Sequence, residues 1–121
     1  MGHPEIGATK LVTIVSGVEA LARSLLVHHR NLRKVEIMQL YEEYKFKKPE
    51  SLVAEYLKTH GNNDCSTYYQ KDTWTLFQQA VNFRNLIVHE CTYLGQDKYP
   101  SLIVSCEEVL SSLIKLGMLR D

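Results

Sequence analysis

An excess of charge of either sign is the first thing this chain lacks. Its 121 residues hold 14 Lys and Arg against 14 Asp and Glu, so the formal net charge is zero. That excludes a strongly basic coat for nucleic acid, and any RNA must be met by a local patch. It also leaves little charge repulsion against self-association. Cysteine is scarce and odd in number: Cys65, Cys91 and Cys106. They lack the paired short spacings of a zinc site, and free thiols in a reducing compartment are expected. No long uninterrupted hydrophobic run occurs. The most apolar stretch, Leu11–Leu26, is broken by Glu19 and Arg23, which argues against a membrane span or a secretory core. A cytoplasmic location without a membrane partner follows as the expectation. There is no glycine-rich phosphate loop, no serine-nucleophile motif, no internal repeat and no low-complexity linker.

What is present is ordinary globular composition, with 45% hydrophobic and 23% charged residues. The length fits a single domain over 1–121 that can bury a core without a disulfide or metal staple. Residues Met1–Gly7 are expected to be a loose N-terminal end.

The apolar residues recur at helical spacing and nowhere in convincing strand alternation. Leu11, Ile14, Val15, Val18, Leu21, Ala22, Leu25 and Leu26 predict a long first helix, about Ala8–Arg30. Ile37, Leu40, Tyr41 and Tyr44 share a side of a second, Lys34–Phe46. Pro49 suits a first helical position, Glu50 the positive helix end and Gly61 a stop, so "KKPESLVAEYLKTHG" predicts another. "GNNDCST" predicts a turn-rich loop, the stretch where order is least expected. A further long helix runs from Asp72 to Tyr93, broken by Gly95 and Asp97. Pro100 opens the last, with Leu102, Ile103, Cys106, Val109, Leu110, Leu113 and Ile114 as its apolar arc. The expectation is all-α: an up-and-down helical bundle of four to five helices.

The Asp72–Tyr93 segment contains "FRNLIVHEC". At about 100° per residue, with Leu76 at zero, Leu76, Ala80, Phe83, Ile87 and Leu94 form the expected core stripe. Phe77, Val81 and Val88 lie at about 100–140° and widen it. Arg84 falls at about 80°, inside the apolar arc, where a guanidinium is costly unless paired. Asn85 and His89 fall at about 180° and 220°, on a polar stripe with Gln78 and Asn82. Four residues apart, they can face one object. Histidine exchanges protons near neutral pH, arginine supplies permanently charged donors for a phosphate, and asparagine can orient either. One His with Glu90 is not a metal ligand set. On spacing alone, a salt-bridged arginine and a surface histidine explain the same residues.

At "RNLIVH", Arg84 to His89, the sequence resembles the HEPN superfamily of small helical domains. Its hallmark is Arg, four to six residues, then His, commonly with a polar residue after the Arg. Asn85 stands in that place, and "VEALARSLL", Val18–Leu26, is similar in character to the family's first helix. The resemblance implies a homodimer in which two motifs meet in one cleft. It further implies a metal-independent endoribonuclease, without cofactor, of a toxin–antitoxin or antiviral defence system. The ribose 2′-OH would attack the adjacent phosphate, leaving a 2′,3′-cyclic phosphate and a 5′-OH. His89 would be general acid or base, Arg84 would stabilise the transition state, and Asn85 would position the phosphate or the arginine. Toxins paired with a minimal nucleotidyltransferase antitoxin commonly carry Tyr two residues after the His, where Cys91 stands here. Some members are non-catalytic and bind RNA or a partner protein, which is the alternative.

Other residues carry weaker signals. Glu19 is either the counter-ion of Arg84 or a surface partner of Arg23. Lys45, Lys47 and Lys48, interleaved with Tyr44 and Phe46, are either an RNA-contacting patch or a solvated helix end. His28 and His29 suit the negative pole of the first helix. Tyr68, Tyr69 and Trp74 are expected as core or interface anchors.

Overall fold

The structure, a computed structural model, describes residues 4–28, 34–69, 72–90 and 96–119. These residues are all-helical, with no strand among them. The helices are α1 (Pro4–His28), α2 (Lys34–Tyr44), α3 (Pro49–Thr59), α4 (Cys65–Tyr68), α5 (Thr73–Glu90) and α6 (Tyr99–Leu119). A 3₁₀ turn, Gln96–Lys98, precedes α6. Where the expected ends fall on described residues, they lie within a few residues of those observed, except at two places; the expected ends Arg30 and Tyr93 and the break at Gly95 lie outside the described residues.

The first is the N-terminus, where α1 begins at Pro4, inside the stretch expected to be loose. Proline lacks the N–H that a first helical turn leaves unbonded anyway. Gly7 then permits close approach: a Cβ there would stand 3.1 Å from Tyr99 Cδ2. The second is "GNNDCST", whose last three residues open the single turn α4, which ends at Tyr68 and adds a helix to the expected four to five. Asp64 caps it, accepting from the Ser66 backbone N–H at 3.1 Å and from the Ser66 and Thr67 hydroxyls at 2.6 and 2.9 Å. These donors hold the Asp64 carboxyl below its ordinary pKa. The stop at Gly61 is as expected. Its φ is +84°, and the Asn62 and Gly61 N–H groups bond back to Leu57 and Lys58 carbonyls at 3.0 Å.

Helix α1 is the centre, packed against α2, α3, α5 and α6. Ala8, Leu11, Val15, Val18, Ala22 and Leu26 form its buried stripe. They meet Leu52, Val53, Tyr56 and Leu57 of α3, Phe77, Ala80 and Val81 of α5, and Leu102, Cys106, Val109 and Leu113 of α6. By length and composition alone, Gly7–His28 would suffice to cross a membrane, and a third of its most apolar window is buried. Helices α1 and α6 run parallel: Gly7 abuts Tyr99 at one end, and Gly117 abuts Leu25 at the other. Helix α5 runs antiparallel to α6, since Thr73 donates to Glu108 at 2.6 Å while Phe83 meets the Tyr99 ring at 6.4 Å.

The direction of the α5 core differs from the wheel. Of the expected stripe Ala80 is buried, but Leu76, Phe83 and Ile87 are only half-buried against the core margin, while Phe77 and Val81, placed at the stripe's edge, are buried with Thr73. The buried face thus centres near 80–100° rather than at Leu76. Leu94 lies outside the described residues. The cause is that α5 lies between α1 and α6: side-chain size alone points at one neighbour, and packing against both turns the helix. Tyr69 is buried, stacked on Trp74 at 5.9 Å and bonded to Ser112 at 2.7 Å, while Tyr68 remains exposed.

Candidate functional site

The turned core places Arg84 near the middle of the face that α5 presents to α1. Along that face Phe77, Ala80 and Val81 are closed over, Arg84 keeps 16% of its side chain exposed, and Val88 is 51% exposed. Arg84 therefore stands where the core ends and solvent begins. This accounts for an arginine within an apolar arc: its stem is covered and its head reaches a partner.

That partner is Glu19 of α1. Arg84 Nη1 lies 3.1 Å from Glu19 Oε1 and donates to Ser16 Oγ at 3.4 Å. Arg84 Nε donates to Asn85 Oδ1 at 3.0 Å. The second carboxylate oxygen, Glu19 Oε2, accepts from Arg23 Nη2 at 2.9 Å. The two partners considered for Glu19 are thus held together, one oxygen each. Arg23 extends the chain of contacts: its Nε donates to the Tyr44 carbonyl at 3.2 Å and its Nη2 to the Lys47 carbonyl at 3.5 Å. Lys47 in turn reaches Glu55 of α3 at 3.3 Å. The network ties α5, α1, the end of α2, the turn after it and the middle of α3.

Asn85 is exposed beside the guanidinium. Because its Oδ1 faces Arg84, its amide nitrogen, a donor, is turned away from it. His89 lies in the last turn of α5, four residues or about 6 Å further along the axis. Its side chain lies outside the described residues, as do His29, Cys91 and Tyr93. Ser16 was not singled out from the sequence. The available signal was its i, i+3 spacing to Glu19, which puts both on one flank of α1.

The remaining candidates separate clearly. Lys45 pairs with Glu42 at 2.6 Å and Lys47 with Glu55, so two cations of the basic stretch are matched within the chain. Phe46 stays 87% exposed. His28 occupies the last turn of α1. Cys65 and Cys106 are free and buried. Burial pushes both thiols up, Cys106 to about 12, so neither is a thiolate nucleophile near neutral pH. Among the described residues no three His, Cys, Asp or Glu side chains are grouped to hold a metal ion. What the arrangement can do is present a fixed guanidinium edge and an amide donor, two groups that suit a phosphate oxygen.

Comparison with family models, with curated proteins and with solved structures finds no match.

Proposed function

We propose that the chain is a HEPN-like metal-independent endoribonuclease, a single up-and-down helical domain that works in the cytoplasm as a homodimer. The observation that carries the reading is Arg84. It is the first residue of "RNLIVH", and it is fixed at the edge of the core by Glu19 and Asn85 with its head still partly open. A guanidinium held in one orientation is what stabilisation of a phosphorane requires, since little reorganisation remains to be done. In this reading the 2′-OH of the ribose loses its proton to a base and attacks phosphorus. The P–O5′ bond breaks, the 5′ oxygen takes a proton, and a 2′,3′-cyclic phosphate remains. His89 supplies one proton transfer and its two-fold mate the other. Arg84 carries the charge that builds on the non-bridging oxygens, and Asn85 donates to the same phosphate. Apolar surface for a second subunit is at hand in Val88 of α5 and in Val104 and Ile114 of α6, each about half exposed. RNA is the substrate, and the biological setting proposed is a toxin–antitoxin or antiviral defence system with a partner protein.

A second reading has its own support. Arg84 already has Glu19, Ser16 and Asn85 as partners, as an arginine with a purely architectural role would. A non-catalytic helical module that binds RNA or a partner protein would need no more. The deciding experiment incubates the purified chain with total RNA in EDTA beside the His89→Ala variant. Cleavage by the former, absent or lowered about 10²–10⁴-fold in the latter, with 2′,3′-cyclic ends, supports the ribonuclease. Activity that needs a divalent ion, or equal activity in both, overturns it.

A further inference from the structure

The chain is neutral overall, but the Arg84 network is not. Two guanidiniums, Arg84 and Arg23, share one carboxylate, Glu19. The formal sum of this triad is one positive charge. Its members are 15–23% exposed at the side chain, so water screens them only in part. Arg23 is held from behind by two backbone carbonyls, of Tyr44 at the end of α2 and of Lys47 in the turn that follows. Those carbonyls are neutral groups and leave the charge sum unchanged. Lys47, whose carbonyl Arg23 meets, is itself matched by Glu55.

A lone Arg84–Glu19 pair would be a closed neutral unit, and an incoming phosphate would have to displace the carboxylate. With Arg23 on the other oxygen, Glu19 is shared, and the triad can take one monoanion without losing a contact. We propose that Arg23 is a positioning residue of the phosphodiester site: it occupies half of Glu19 and so keeps Arg84 open to one phosphate. This rests on the reading of Arg84 as the phosphate-contacting group. The geometry also gives a sign rule. Removing the charge of Arg23 leaves a neutral pair and weakens anion binding. Removing the charge of Glu19 leaves two cations and strengthens it. A merely architectural network moves both the same way, because either change breaks it.

The test titrates the full chain with a short oligodeoxynucleotide, which has phosphodiesters but no 2′-OH, and reads fluorescence anisotropy at low ionic strength. A unit charge about 7 Å from the phosphate in a half-wet setting changes affinity roughly threefold to tenfold. Arg23→Gln is expected to weaken binding by that factor, and Glu19→Gln to tighten it by a similar one. Arg23→Lys keeps the charge and stays within about twofold of the parent. Arg84→Ala loses binding at least about tenfold. On cleavable RNA the Arg23→Gln loss appears in KM rather than kcat. Should Arg23→Gln fail to fold, the tightening by Glu19→Gln carries the test alone. Weaker binding in both Gln variants, no change beyond twofold in either, or no binding by the parent chain overturns the proposal. The sign pattern without any RNA cleavage leaves the proposal standing and removes the ribonuclease. Cleavage with both variants weakened does the reverse.

Discussion

Glu19 serves two cations, so its loss should cost more stability than the loss of either arginine. Take Arg84→Met first. The apolar stem is kept, the head is removed, and Glu19 still holds Arg23 through Oε2. The bond to Glu19 disappears, worth about 1.5–3 kcal/mol when well buried, along with the exposed bonds to Asn85 and Ser16, whose partners water can satisfy instead. With the two side chains 16% and 23% exposed, screening brings that to about 1–2 kcal/mol. Now take Glu19→Gln. The shape is kept, but two guanidiniums face each other with no anion between them, and two bonds weaken. The expected cost is about 2–3 kcal/mol, towards the range seen when one partner of a buried pair is removed. In the double variant the like-charge repulsion is gone, so the coupling between the two sites should be about 1–2 kcal/mol. The assay is urea unfolding followed by far-UV circular dichroism at one fixed chain concentration, so that any self-association cancels. The slope against urea should be unchanged. A coupling below about 0.5 kcal/mol, or an Arg84→Met cost equal to or above that of Glu19→Gln, would refute the shared-carboxylate argument.

Three further outcomes are expected. Phe77→Ala should cost about 3–5 kcal/mol because the ring is fully buried, whereas Leu76→Ala on the half-buried margin should cost about half as much; equal costs would restore the core direction centred on Leu76. Stability should fall with rising pH from about 9 towards 12, because buried Cys106 keeps its proton in the folded chain after the unfolded chain has lost it. The slope for that group is at most about 1.4 kcal/mol per pH unit, and Cys106→Ala should flatten the fall, leaving the parts due to Cys65 and buried Tyr69. Finally, a heterodimer of one parent chain and one His89→Ala chain should show well under half the parent RNA-cleaving rate if two motifs build one site; retention of half means that each subunit works alone.

The α5 helix shows how far hydrophobic pattern carries. Its existence, its start within a residue and the oddity of Arg84 in an apolar arc were all legible, because a 3.6-residue period and an uncompensated charge are local properties. Which of two adjacent apolar faces would be the core was not. Leu76, Phe83 and Ile87 outweigh Phe77 and Val81 in size and number, and Ala80 lies between the two sets. Only the positions of α1 and α6 decide that the smaller set is covered completely. The same limit applies at Glu19, whose spacing to Arg23 was visible while its contact with Arg84, 65 positions away, was one of two open alternatives.

Side-chain capping overrides turn composition just after α3. "GNNDCST" is rich in turn formers, yet Asp64 with Ser66 and Thr67 supplies a side-chain cap that closes one helical turn. The sequence by itself determined the all-helical class, the long helices and the candidate triplet Arg84, Asn85 and His89, because each follows from residues within a few turns of one another. Tertiary structure alone decided that α1 lies at the centre, that α1 and α6 run parallel and that the α5 core is turned towards Phe77. It alone joined Arg84, Glu19 and Arg23 in one network that reaches α2 and α3. Those facts depend on contacts between helices distant in the chain, and a helical period says which residues share a face but not what that face will meet.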